Sequence, residues 1–143
     1  GVHEAAREVL PAEEKHLVVE MQCTPSMVKA NEVMLKHALL NIIQNAIKYN
    51  TENGKLTIAV TEKDGYCVIS VSDTGIGISP EAAEHIFEPF YREDKSRSRK
   101  IGGAGLGLSI TKNIIEHHGG AVEYQPNAPR GSIFILKIPT IEM

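Results

Sequence analysis

The chain has 143 residues, 42% of them apolar and 23% charged, with a formal net charge of −3. That suffices for one domain with a substantial core and is too little for two. The acidic balance, with a pI near 6.1, argues against nucleic acid or an anionic membrane as the main partner. No apolar run approaches the roughly 18 residues of a membrane helix, no signal-like segment stands out, and a cytoplasmic location is the expectation. Cys23 and Cys67 lack metal-ligand spacing and read as free core thiols on separate strands.

The chain opens on Gly1 within what reads as a helix end, His3 to Val9. Residues 1–12 are expected to be the end of a linker helix, and 13–143 the domain itself, cut from something longer. Leu17-Val18-Val19-Glu20-Met21 reads as a strand. Thr24-Pro25-Ser26 makes a turn, and Met27 to Ala30 suggests a second, very short strand. Asn31 offers a helix N-cap before Glu32. From Glu32 to about Tyr49, Leu35, Leu39, Ile42 and Ala46 recur at helical spacing. Asn50 to Gly54 is turn chemistry. Lys55–Glu62 and Tyr66–Ser72 flank Lys63-Asp64-Gly65 and read as a hairpin. Ser79 caps a short helix with Pro80 at its first position, expected to end near Phe87. Residues 88 to 107 follow neither period, being first charged and then glycine-rich; such a segment is expected to be a lid. Leu108 to His118 is helical again and stops at Gly119-Gly120; a cation at His117-His118 would suit that helix end. Val122–Tyr124 and Ser132–Ile138 close the chain as two strands around the turn Pro126 to Gly131. The order predicts an α/β fold of two layers, a mostly antiparallel mixed sheet with three helices on one face.

Three features carry chemistry. Asp73-Thr74-Gly75-Ile76-Gly77-Ile78 follows a strand directly. A carboxylate there can accept from an exocyclic amine such as that of adenine, while glycines let backbone approach a flat base. Taken alone, the pattern is also ordinary strand-to-turn punctuation. On the long helix, Asn41, Asn45 and Lys48 fall within roughly 60° of one another, away from the apolar stripe. Two amide oxygens and a lysine suit a Mg²⁺–phosphate group, although a lone helix with such residues also reads as solvated. Gly102-Gly103-Ala104-Gly105-Leu106-Gly107-Leu108 leads into a helix start, where free N–H groups favour an anion. Arg92, Lys95, Arg97, Arg99 and Lys100 concentrate positive charge just upstream. Neither a Walker-type phosphate loop nor a dinucleotide fingerprint is present.

Together these segments resemble the sensor histidine kinases. Asn41 to Tyr49 resembles their asparagine box, and Asp73 to Ile78 their first glycine box. Ile86-Phe87-Glu88-Pro89-Phe90-Tyr91-Arg92 is similar to the phenylalanine box, and Gly102 to Leu108 to the second glycine box. Gly131-Ser132-Ile133-Phe134 and Ile138-Pro139 look like the terminal strand. The resemblance spans about Leu17 to Pro139. It implies the ATP-binding catalytic domain of a two-component sensor kinase, with the Bergerat-type α/β sandwich shared by the gyrase, heat-shock chaperone and mismatch-repair ATPases. It further implies that Asp73 takes the adenine amine, with Gly75, Gly77 and Ile78 around the base. Asn45 and Asn41 would bind Mg²⁺, Lys48 would meet phosphate, and Tyr49 would pack beside the nucleotide. Gly103, Gly105 and Gly107 would let the lid close, with Leu106 and Leu108 near the ligand; Lys95, Arg97, Arg99 and Lys100 are the candidates for the γ-phosphate. The phosphoacceptor histidine would lie on a separate dimerisation domain, since His3-Glu4 lacks the surrounding motif. The implied partners are that domain and a response regulator receiver domain, with no nucleic acid. The isolated domain is expected to be a monomer, and its parent a homodimer that could be membrane-anchored. Alternatives are a stand-alone serine kinase or ATPase of the same superfamily, or a non-catalytic nucleotide-binding module.

Overall fold

The computed structural model describes residues 16–23, 27–89 and 107–141. Five strands form one sheet: β1 (Val18–Cys23), β2 (Lys55–Lys63), β3 (Tyr66–Asp73), β4 (Ala121–Pro126) and β5 (Ser132–Pro139), in the spatial order β1-β2-β3-β5-β4. β1 runs parallel to β2, and every other pair is antiparallel. The parallel pair follows from the helix α1 (Glu32–Lys48) that joins its strands, because parallel neighbours require a crossover. The β2–β3 hairpin turns on Asp64 and Gly65, with φ of 52° and 81°. Both are left-handed, as a two-residue turn matching the strand twist demands.

Strand alternation builds the core. Leu56, Ile58 and Val60 on β2, Cys67, Ile69 and Val71 on β3, and Phe134, Leu136 and Ile138 on β5 are all buried on one face. Asp73 and Ser132 continue that inward-facing row at its end, and this places polar groups at the edge of the core. Phe134 meets Phe87 edge-on at 6.2 Å and Tyr124 at 5.5 Å between ring centroids. Truncating so enclosed a ring would cost about 3–5 kcal/mol.

α1 begins where the Asn31 side chain accepts the Met34 N–H at 3.0 Å, the capping contact its residue type favours. Its buried stripe of Ala38, Leu39, Ile42, Ile43, Ala46 and Ile47 packs on the sheet and on α3 (Gly107–His117). Within that seam the buried Thr111 hydroxyl donates to the Ala38 carbonyl at 3.2 Å, so its one polar atom is satisfied. A second bond joins the two helices at their ends. His118 Nε2 accepts the Asn31 N–H at 3.0 Å, and Nδ1 donates to the Ile114 carbonyl at 2.7 Å. Both ring nitrogens of His118 are thus engaged, and the side chain ties the end of α3 to the start of α1.

Other expectations need correction. The short helix α2 (Pro80–Ala83) is capped by Ser79 as expected but ends at Ala83, with turns continuing to Pro89. Val28 makes only an isolated bridge to Thr140 instead of a strand. Cys67 is buried, whereas Cys23 is exposed on β1, which is the edge strand of the sheet among the described residues. Gly107 belongs to α3. The helix end at residues 3–9 and most of the lid, residues 90–106, lie outside the described residues.

Candidate functional site

The site is built where β3 ends. Asp73 is 3% exposed, and its Oδ1 accepts two backbone N–H groups, from Gly75 at 2.9 Å and from Ser132 at 3.2 Å. No donor among the described residues meets Oδ2. Burial pushes the Asp73 carboxyl above its ordinary value of 3.8, and the bonds from Gly75 and Ser132 offset this only in part. One oxygen is therefore fixed, and the other is a buried acceptor that no described residue meets. Such an oxygen costs on the order of 1–3 kcal/mol unless something donates to it.

Three neighbouring segments hold the loop after Asp73. The end of α1 is the first: the Ile76 N–H donates to the Tyr49 carbonyl at 3.1 Å. Gly75 lies so close that a Cβ there would stand 2.0 Å from the Tyr49 carbonyl oxygen, which only glycine permits. The second is Asn50, 7% exposed and just past the helix. Its Oδ1 accepts from Thr51 N at 2.9 Å and Thr74 Oγ1 at 3.2 Å, and its Nδ2 donates to the Lys55 carbonyl at 3.0 Å. The third is the β4–β5 turn. There Asn127 Nδ2 donates to the Asp73 carbonyl at 2.8 Å, and Arg130 Nε donates to the Gly75 carbonyl at 2.9 Å. Gly131, at φ +108°, leaves no room for a Cβ, which would meet the Asp73 carbonyl at 2.0 Å.

The asparagine stripe leads away from this end. Lys48 is exposed, while Asn41, Asn45 and Tyr49 are half-buried. Asn41 Nδ2 donates to the Gly107 carbonyl at 3.3 Å, which ties the stripe to the first turn of α3. That bond uses the amine of Asn41 and not its Oδ1, and no described residue engages the Asn45 carboxamide. Two neutral oxygens one helical turn apart fit a hard cation that brings its remaining ligands with it. Among the described residues no group of three or more His, Cys, Asp or Glu gathers as an alternative metal cage. Asn41 and Tyr49 are eight positions apart, about 12 Å along the axis. The stripe thus runs from the carboxylate end to the start of α3, a span suited to a ligand with a base at one end and phosphates at the other.

Of the residues expected from sequence, Asp73, Gly75, Gly77 and Tyr49 meet at the carboxylate end, with Gly77 at φ +74° and 3.4 Å from the Gly131 carbonyl by its would-be Cβ. Ile78 and Leu108 are half-buried against the core. Asn41 and Gly107 meet at the other end. Lys95, Arg97, Arg99, Lys100, Gly103, Gly105 and Leu106 lie outside the described residues. Sequence reasoning passed over Asn50, Asn127 and Arg130. Only Asn50, buried directly after the asparagine box, had a local signal.

The profile of a family described as histidine kinase-, DNA gyrase B- and HSP90-like ATPase matches residues 30–142. The chain belongs to this ATPase family. Its relatives in the family include the sensor histidine kinase RppB of Synechocystis sp., 44% identical over 109 residues, which are 76% of this chain and 24% of that protein. The chain spans about a quarter of the length of the curated relatives it matches. Among solved structures, a mycobacterial sensor histidine kinase MprB superposes with a TM-score of 0.86 at 26% identity, over 99% of this chain and 93% of that one. Full-length ShkA in complex with AMPPNP gives 0.84 at 30% identity, over 99% of this chain and 30% of that one. Histidine kinase ThkA in complex with the response regulator TrrA gives 0.75 at 31% identity, over 97% of this chain and 40% of that one. The family's open mixed sheet and helical layer are those described above.

Proposed function

We propose that this ATPase-family chain binds ATP with Mg²⁺ and presents the γ-phosphate to a histidine on a separate dimerisation domain of a sensor histidine kinase, which then passes it to a response regulator. The observation that carries the reading is the buried Asp73 carboxylate, with one oxygen locked by two N–H groups and the other left as an acceptor. An adenine amine supplies the missing donor, and a guanine carbonyl at the same place would not. Asn41 and Asn45 would hold Mg²⁺ through their side-chain oxygens, and Lys48 would contact phosphate. Bound there, the metal would neutralise charge on the transferring phosphoryl group. The protein's part is positioning and electrostatics. Asp73 sets the base, Gly75 and Gly77 let its loop pack closely on the Tyr49 and Gly131 backbone beside it, and the asparagine stripe aligns the phosphates toward Gly107. The AMPPNP in the ShkA complex and the response regulator in the ThkA complex support this assignment of ligand and partner.

The test is a titration of ATP and ADP with and without Mg²⁺, followed by transfer of labelled phosphate to a histidine-containing dimerisation domain added in trans. Binding that is specific for adenine and enhanced by Mg²⁺, with label moving to the histidine, is expected. Binding without transfer would leave a regulatory nucleotide module, and no binding would remove the reading altogether.

A further inference from the structure

The β4–β5 turn contributes no side chain to the proposed contacts, yet its polar side chains point back at the loop that carries Asp73. β3 and β5 pair as far as Ser72 and Ile133, and the ladder stops there. Beyond it, side chains take over. Asp73 Oδ1 receives the Ser132 N–H, and Asn127 Nδ2 caps the Asp73 carbonyl at 2.8 Å. Two residues on, Arg130 Nε caps the Gly75 carbonyl at 2.9 Å. The turn is itself pinned, because Asn127 N donates to the Gly131 carbonyl at 3.1 Å and Asn127 Oδ1 accepts the Ala128 N–H at 2.9 Å. The carbonyls of the two residues that flank Thr74 are thus held from one turn, while the Thr74 hydroxyl donates to Asn50 Oδ1.

We infer that Asn127 and Arg130 are positioning residues that set how sharply the site distinguishes a 6-amino purine from other bases. The inference rests on the nucleotide reading above and deepens it. Rotating the Asp73–Gly75 peptide units would carry Oδ1 away from Gly75 N and turn Oδ2 out of line with an incoming amine. Asn127 and Arg130 oppose that rotation at its two carbonyls. Their loss should act on the base contact and leave the phosphate end, two helical turns away, untouched.

The experiment titrates the chain and its Asn127→Ala, Arg130→Met and Arg130→Lys variants with ATP and with purine riboside triphosphate, which lacks only the 6-amino group. A single lost hydrogen bond predicts an ATP affinity lower by about 3- to 10-fold in Asn127→Ala and Arg130→Met. Affinity for purine riboside triphosphate should change by less than about twofold. Arg130→Lys keeps a donor and should retain more of the preference than Arg130→Met, which keeps only the apolar stem. Arg130 is exposed, so Arg130→Met carries the test if Asn127→Ala does not fold. Equal losses for both ligands would mean a general structural role and overturn the inference, as would variants that keep the wild-type preference. A wild-type chain that binds both ligands alike removes the adenine reading and this inference with it.

Discussion

Replacing Asp73 with asparagine separates recognition from folding, because the two carboxylate oxygens do different work. Oδ1 accepts from Gly75 at 2.9 Å and Ser132 at 3.2 Å. An amide oxygen can accept both, so Asp73→Asn preserves the local fold and puts its NH₂ where Oδ2 was. Flipping the amide would restore an outward acceptor but press NH₂ against two N–H donors. Leaving both unsatisfied costs about 2–6 kcal/mol, against the roughly 0.5–1.5 kcal/mol that a hydrogen bond between two neutral groups returns. The unflipped form wins, and a donor then faces the donor of adenine. ATP affinity should fall roughly ten- to hundredfold. A base with a carbonyl at that position, as in inosine triphosphate, should lose much less. Without ligand the variant should melt no lower than wild type, since a buried ionised group has been replaced by a neutral one. Calorimetric titration with both nucleotides, paired with thermal melts of the free chain, reads all three quantities. Unchanged ATP affinity would refute the role of Oδ2, and a large drop in melting temperature would refute the division of labour between the oxygens.

The raised Asp73 pKa makes a signed prediction. The folded state holds this proton at pH values where the unfolded chain has released it, so the contribution of Asp73 to stability falls as pH rises from 3.8 through the folded value. Any stability advantage of Asp73→Asn should therefore shrink on acidification, and melts across pH that show a growing advantage would contradict it; ATP affinity of the wild type should fall over the same acid range. Asn45→Ala should weaken binding in Mg²⁺ by roughly tenfold or more while changing metal-free binding little, and equal losses in the two titrations would remove the metal role. Gly131→Ala would place a methyl 2.0 Å from the Asp73 carbonyl at a φ of +108°. Such overpacking costs about 1–3 kcal/mol, so the melting temperature should drop by several degrees and ATP binding with it; a melt within one degree of wild type would show that the turn yields freely.

The elements with local signals were legible in the sequence. Asn31 announces α1, Ser79-Pro80 announces α2, and Asp64-Gly65 fixes the β2–β3 turn, because each acts through neighbours within a few residues. Asp73 was legible as an acceptor for the same reason, being a carboxylate at a strand end before glycines. What escaped was non-local. Asn127 and Arg130 reach Asp73 and Gly75 across 54 and 55 residues, and a turn containing Asn, Pro, Arg and Gly reads as solvent-facing until its partner is known. Cys23 reads as core in the sequence because it lacks metal-ligand spacing and free cysteines are usually buried. Its exposure follows from the place of β1 at the sheet edge, which strand propensity does not encode. α2 stops at Ala83 because tertiary contacts of Ile86 and Phe87 with the core replace further helical turns.

The insertion of β5 between β3 and β4 bears on when the site comes into being as the chain is synthesised. A ribosome that has released everything through β4 has already delivered the asparagine stripe and the loop after Asp73. Yet Asp73 then lacks the Ser132 N–H, and its strand has an open edge where β5 will lie. The Asp73 carboxylate is therefore oriented only after β5 docks. A nascent chain would be unable to capture nucleotide prematurely, and nucleotide binding would report that the whole sheet has closed.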